Sequence, residues 1–497
     1  VSRAGSTGLT RRQIMAGTAA TLAGIGIQWS VGTKASALAQ DGVYVLRFEE
    51  APDQLIEGLG VEIQSDSIGS ANNGLPASTS SVPFDLTPSE RDRFVSQMLM
   101  AGRVDGGFRY LRLALGLYFR GLDSESKHVI ERFPGQAAGL AALIRDAKME
   151  GVSAEYWSPA PAWKTTNSYI GGTIKSTEPA FLDEMAAAMA QDVRYLIANG
   201  IPVAQWGMQN EPIYNNSQYS QCKYSGEQYY QLFKRVAPLI HGIDPGILIS
   251  VDSMDGWNSA GGVRIKSDPA ATAHVDAWSY HRIGLNSNYQ MDNDFNQSAS
   301  LGKPVFTNEF EYLTGQTPNM LNTAQSIMNW FTFVKSPTWY WLHALKPTTN
   351  SESYGYGLGF WRPPHDTDFS ANHFPDLPVG HWQFNPVNWN GVSGFVKFLP
   401  KNSRRHIVTE PQRLYDQRIM AWKTPTGKAV FAVTNRGTTP FTFNVDTQNP
   451  VIFRGYQYTA TVPDASGIGV VQLGAKNGPS FSTTVPSGAL QFWVADA

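Results

Sequence analysis

The 497-residue chain has one cysteine, Cys222. A single thiol excludes an intrachain disulfide, and with it any zinc site built from paired CxxC motifs. Charge is scarce too: 16% of residues are charged, against about 25% in an average soluble chain. The 39 basic and 41 acidic residues leave a net charge of −2. That balance lacks the basic footprint that a nucleic-acid binder or a membrane-surface binder needs. None of the nine histidines forms a His-x-His pair, and His-Glu-x-x-His is missing. A metal-dependent hydrolase therefore has no local ligand set here, and no metal or other cofactor is expected. No segment is apolar for the ~20 residues that an integral membrane span requires.

What the chain does have is apolar and aromatic mass. Apolar residues make up 42% and aromatics 12%, with 14 Trp, 20 Tyr and 25 Phe. That mass can bury a large core and excludes a mostly disordered chain. Many tryptophans with little charge suit neutral, ring-shaped ligands such as sugars, although a large core uses the same residues. The length corresponds to roughly two to four domains at ~150 residues each.

Residues 1–39 carry an export signature. Thr10-Arg11-Arg12-Gln13-Ile14-Met15 resembles a twin-arginine signal. A weakly apolar run from Ile14 to Ile27 follows, then the small-x-small pattern Ala37-Leu38-Ala39. About fourteen apolar or small residues fall short of a membrane anchor. Cleavage is expected, giving a secreted protein, extracellular or associated with the cell surface.

Beyond Leu55, short β-like runs alternate with helical stretches, as in βα units on a parallel sheet. Strands are expected at Gly58–Ile63, Tyr110–Leu115, Ser153–Trp157 and Val203–Met208, then at Ile247–Val251, Ala277–Tyr280, Pro304–Thr307 and Thr338–Leu342. Helices are expected over Pro88–Met100, with Thr87 and Glu90 as a capping box, and over Gln136–Glu150, closed by Gly151. Three more cover Pro179–Asn199, Gly226–Ile243 and Thr317–Val334. Eight strands with intervening helices describe an α/β protein, a (β/α)8 TIM barrel over 55–398. A doubly wound sheet ranks lower, because no GxGxxG turn follows the first strand. After about residue 400 the helical patterns stop. Alternating runs such as Arg418–Trp422, Ala429–Val433 and Phe441–Val445 predict a C-terminal β-sandwich over 399–497. A strand within 40–54, near Val43, is expected to join it. No low-complexity linker separates the two, so they are expected to pack rigidly.

The chemistry gathers at strand ends, which in a (β/α)8 barrel face the active site. Strand four runs into Trp206-Gly207-Met208-Gln209-Asn210-Glu211-Pro212, and strand seven into Val305-Phe306-Thr307-Asn308-Glu309-Phe310-Glu311. Two carboxylates across a barrel mouth are what glycoside hydrolysis requires. One protonates the leaving oxygen, and the other attacks or activates water at the anomeric carbon.

Four stretches resemble a clan A retaining glycoside hydrolase, most specifically glycoside hydrolase family 30. They are Glu57-Gly58-Leu59-Gly60, the segment Trp157-Ser158-Pro159-Ala160-Pro161-Ala162-Trp163-Lys164 followed by Gly171-Gly172, the motif Gln209-Asn210-Glu211-Pro212, and Phe395-Val396-Lys397-Phe398-Leu399-Pro400 with Arg404-Arg405. The resemblance spans nearly all of the chain after the signal, and the family's barrel with a sandwich built from both chain ends accounts for the strand near Val43. It implies Glu211 as acid/base and Glu309 as nucleophile, through a covalent glycosyl-enzyme intermediate. It also implies Asn210 as the partner of the sugar 2-hydroxyl, Arg112 as the group that holds Glu309 charged, and His281 as the strand-six histidine. Where the family often has a tyrosine two residues after that histidine, this chain has Ile283, and Tyr280 is the candidate replacement. Trp341 is expected to form a platform under the cleaved sugar, with Trp157 and Trp163 as further stacking candidates. The excursion from Tyr354 to His365 is expected to shape subsites. An acid must keep its proton near neutral pH and a nucleophile must stay ionised.

Glu309 and Glu311 share strand parity, but two residues advance the chain by ~6.6 Å. Only one can therefore sit at the ~5–5.5 Å from Glu211 that a covalent mechanism needs. A strand beginning near Pro304 reaches the barrel rim at Glu309, and Lys303-Pro304-Val305 resembles the strand start that precedes the family's nucleophile at this spacing. A transglycosylase would use the same glutamate pair, and a non-catalytic glycan-binding protein would keep the tryptophans but lose a carboxylate. The resemblance implies a carbohydrate partner, a β-linked glycan of the glucan, galactan or xylan kind. The near-zero net charge favours a neutral one, and the expected state is a monomer.

Overall fold

The computed structural model describes residues 42–63, 86–101, 106–120, 126–132, 134–217, 219–255, 259–281, 302–311, 320–348, 357–362, 376–465 and 468–496. The export signature, Ile283 and most of the Tyr354–His365 excursion lie outside them.

Eight parallel strands close into a barrel. In order they are Gly58–Glu62, Tyr110–Leu115, Gly151–Tyr156, Val203–Gly207, Leu248–Asp255, Ala277–His281, Val305–Phe310 and Thr338–Trp341, called barrel strands one to eight below. Strand eight pairs with strand one, Tyr340 opposite Gly60, and so closes the ring. The pairing needs that glycine, because a Cβ at Gly60 would lie 2.1 Å from the Tyr340 ring. Inside the barrel the Tyr340 hydroxyl donates to Gln205 Oε1 at 3.0 Å, filling the floor beneath the site.

Among the described residues the expected helices are present with two corrections, and the start of the fifth, residues 317–319, lies outside them. The stretch that begins at Gln136 ends at Asp146, not Glu150, and Lys148 takes a left-handed φ of 52°. Gly151 therefore opens barrel strand three instead of capping the helix. Thr87 does accept from the Glu90 amide, but the Glu90 carboxylate turns to Arg93 and the Trp382 amide instead of closing a capping box. The sequence reading also passed over the helix Pro386–Phe398 and a small sheet of His343–Pro347, Gly357–Trp361 and Trp382–Phe384.

The remaining strands form two facing sheets. One has four strands, in the order Val408–Thr409, Val43–Leu46, Phe441–Asp446, Ser480–Val485. The other has seven, running from Gln54–Ile56 through Ser403–His406 to Val470–Asn477. Tyr44, Leu46, Phe431, Phe443, Phe453 and Trp493 fill the space between them. The seven-stranded sheet also meets the barrel: Phe492 packs its ring 4.9 Å from Phe395 and 5.5 Å from Phe398. Gly394 permits that approach, since a Cβ there would stand 2.1 Å from the Phe492 ring.

Candidate active site

Barrel strand two places Arg112, wholly buried, at the centre of the site. Nη1 donates to Glu62 at 3.1 Å and to Glu309 at 2.6 Å. Nη2 donates to Glu155 at 2.5 Å and to Asn210 Oδ1 at 2.6 Å, and Nε adds a second bond to Glu155 at 3.2 Å. One planar guanidinium thus ties together side chains from the ends of strands one, three, four and seven, using the fork geometry that a lysine lacks. Burial by itself would lower its pKa, but Glu155, Glu309 and Glu62 outweigh that and hold the charge.

His281, at the end of strand six, lies between the two candidate catalytic carboxylates. Its Nδ1 is 3.4 Å from Glu211 and its Nε2 is 3.7 Å from Glu309. Nε2 also meets Ser253 Oγ at 3.0 Å, and Asn308 donates to the same hydroxyl at 2.8 Å. One oxygen of Glu211, one ring nitrogen of His281 and one oxygen of Glu309 lie within 4.8 Å of one another. That spacing would suit a divalent cation. Burial lowers the His281 pKa, but Glu309 and Glu211 more than reverse this, with Arg112 opposing, and the net shift is upward.

Two local backbone features aim these groups. In strand seven, Tyr280 pairs with Thr307 and His281 with Glu309, which leaves Asn308 as an extra, bulged residue. Asn308 and Glu309 therefore both face the barrel interior, where strict alternation would have put Glu309 on the face of Thr307. Strand seven also runs on to Phe310, past the Pro304–Thr307 span expected from sequence. At the end of strand four, Glu211 has φ 48°, a left-handed conformation uncommon outside glycine. Its amide donates to the Ser253 carbonyl at 2.7 Å.

The aromatic candidates separate. Trp157 adjoins the site, with the Arg112 guanidinium 5.9 Å over its ring and Tyr219 at 5.6 Å. Trp163 packs against Phe181 at 5.5 Å, and its Nε1 donates to the Lys127 carbonyl. Tyr280 is buried on the face of strand six that it shares with Trp278, whose ring lies 4.5 Å from Lys266 Nζ. Trp341 sits in an aromatic cluster with Phe310 at 5.8 Å and Trp339 at 6.3 Å. Of the residues singled out from sequence, the structure brings together Arg112, Trp157, Asn210, Glu211, His281 and Glu309. Trp163, Tyr280 and Trp341 have core neighbours.

Sequence reasoning missed Glu62 and Glu155, which share Arg112, and His343, whose Nδ1 is 3.0 Å from Glu62. Tyr118 also donates to Glu62, at 2.5 Å. A signal was present. Glu62 stands directly opposite Arg112 in the strand register, and Glu155 shares Arg112's barrel-facing parity through Ser153. Acids at inward positions of otherwise apolar strands are rare unless paired.

No family model matches the chain, and no curated protein matches it in sequence. Solved structures do match in shape. The catalytic domain of GH30 xylanase C from Talaromyces cellulolyticus superposes with a TM-score of 0.65 at 15% identity, covering 92% of this chain and 100% of that one. An endo-β1,6-glucanase gives 0.65 at 14% identity, over 92% and 93%. The GH51 arabinofuranosidase from Xanthomonas axonopodis pv. citri gives 0.60 at 10%, over 91% and 99%. At such identities the likeness is one of fold, a (β/α)8 barrel carrying a β-sandwich.

Proposed function

We propose that the protein is a retaining glycoside hydrolase that cleaves β-glycosidic bonds of an oligo- or polysaccharide by double displacement. The observation that carries this reading is the meeting of Glu211 and Glu309 within 4.8 Å at the C-terminal ends of strands four and seven. Carboxyl groups about 5–5.5 Å apart leave room for nucleophilic attack, whereas inverting enzymes need roughly 6.5–9.5 Å to admit a water. The neighbours named as a xylanase, a glucanase and an arabinofuranosidase share this fold and support a glycan as substrate.

Glu309 attacks the anomeric carbon, kept ionised by the Arg112 bond at 2.6 Å. Glu211 delivers its proton to the glycosidic oxygen, then takes one from the water that releases the sugar. Because Arg112 fixes Asn210 Oδ1 as an acceptor, the Asn210 amide nitrogen, unpaired among the described residues, is a donor for the sugar 2-hydroxyl. The near-neutral charge favours a neutral glycan. Residues 1–39 serve as a twin-arginine export signal in this reading, and the protein acts outside the cell as a monomer.

Proton NMR of the earliest product tests the mechanism. Retention of anomeric configuration is expected, and initial appearance of the inverted anomer overturns the reading. Glu211→Ala should abolish action on natural glycans but spare the first step on aryl glycosides whose leaving group needs no proton, since only the second step then lacks its base. Added azide should then be captured as a β-glycosyl azide.

A further inference from the structure

We propose that Gln221, anchored by the buried Lys164, is a positioning residue that holds Glu211 in the orientation from which it protonates the glycosidic oxygen; this rests on the glycosidase reading above.

A left-handed residue other than glycine costs roughly 1–2 kcal/mol, so the conformation of Glu211 must be held by its surroundings. A side-chain amide has two hydrogens to donate, and Gln221 Nε2 lies 3.0 Å from the Asn210 carbonyl and 3.0 Å from the Glu211 carbonyl. Those carbonyls bracket the residue that carries the acid. One nitrogen therefore reaches the peptide planes on both sides of its Cα. Gln209 Nε2 adds a bond to the Asn210 carbonyl at 2.8 Å, and the Tyr214 amide one to the Glu211 carbonyl at 3.1 Å. Among the described residues Gln221 alone spans both planes, and so bears on the direction in which the carboxyl leaves the backbone.

Gln221 is itself pinned. Its amide donates to the Tyr169 carbonyl at 3.0 Å, and its carbonyl accepts from Lys164 Nζ at 2.7 Å. The other two ammonium protons go to Ser158 Oγ and the Tyr169 carbonyl, each at 2.8 Å. All three acceptors are neutral, and no carboxylate among the described residues pairs with this fully buried ammonium. Burial draws the Lys164 pKa down to about 8. The titratable group facing it is the Cys222 thiol, which burial pushes up to about 11. A buried cation without a counter-ion is costly. What this one provides is a rigid joint between the loop after strand three, which carries Ser158, and the loop that carries Gln221.

The test separates positioning from folding by comparing two leaving groups in one variant. kcat/KM is measured for phenyl and for 2,4-dinitrophenyl β-glycosides of glucose, galactose and xylose, using the sugar that the unaltered enzyme cleaves. Phenolate needs protonation as it leaves and dinitrophenolate does not, so their ratio reports the acid alone and is independent of the folded fraction. Gln221→Glu keeps the shape but removes both amide donors, and Lys164→Met removes the anchor. Each is expected to lower the phenyl value by roughly tenfold to a hundredfold, the scale of a misplaced catalytic proton, with the dinitrophenyl value little changed. Equal losses on both substrates in either variant would overturn that residue's positioning role. Glu211→Ala is the control: if it shows no split, the assignment of the acid fails, and the proposal with it.

Discussion

Arg112 carries most of the electrostatics of the barrel mouth. Three carboxylates depend on it, and all four groups are buried. Removing one partner of a buried ion pair typically costs about 3–5 kcal/mol, because the remaining charge stays uncompensated. Arg112→Met should therefore lower the thermal midpoint and abolish turnover together, which scanning calorimetry and a glycosidase assay would record. Glu309 and Glu311 call for a different comparison. Glu309 lies within strand seven, 2.6 Å from Arg112, while Glu311 is the first residue beyond the strand. Glu309→Ala should remove measurable turnover and Glu311→Ala should leave a partly active enzyme. A fluorosugar adduct mapping to Glu311 would reverse the assignment. His281 adds a pH signature. Its folded pKa lies above the ordinary 6.5 because Glu309 and Glu211 overcome the effect of burial. The stability it contributes is thus fully present below about pH 6.5 and is lost as pH rises through the folded value. Urea unfolding of the wild type and His281→Asn across pH 5 to 8 should converge as pH increases.

At the scale of single elements, local rules account for much of the barrel. Strand two matches its expected bounds, Tyr110–Leu115, and the helix Gly226–Ile243 does likewise. The helix follows its 3.6-residue period, and the strand is a short, wholly buried apolar run interrupted by Arg112. The elements that escaped notice depend on partners. The helix Pro386–Phe398 is buried along most of its length, so it carries no amphipathic stripe to read. Gly394 in that helix gives a test. Alanine is the better helix former by about 1 kcal/mol, but its Cβ would meet a Phe492 ring already confined by Phe395, Phe398 and Trp422. Gly394→Ala should destabilise the protein by about 1–3 kcal/mol, and Phe492→Leu in the same chain should recover part of that loss in a denaturant titration.

For the whole molecule, the sandwich draws on strands far apart in sequence. Val43–Leu46 runs parallel to Phe441–Asp446, and Gln54–Ile56 pairs with Ser403–His406. The rings of Phe395 and Phe398 are covered by Trp422, Tyr456 and Phe492 from the seven-stranded sheet. A chain truncated after Pro400 would expose that apolar face, and a patch of this kind promotes association. Such a chain is expected to aggregate on expression more than the full chain does, which comparison of their insoluble fractions would record.

The sequence by itself determined the number and order of the barrel strands, the break into β-structure after residue 400, and the strand ends that carry Glu211 and Glu309. These follow from short-range periodicity and from motifs a few residues long. The tertiary structure alone decided which charges meet. Arg112 reaches Glu309 across 197 positions and Glu62 across 50, and no local pattern encodes such a distance. It also decided where alternation breaks. The bulge at Asn308 turns two successive side chains inward, and the left-handed turn at Glu211 is bracketed by the amide of Gln221. Both are departures from the regular period, imposed by neighbouring strands and loops on a backbone that would otherwise have aimed its carboxylates elsewhere.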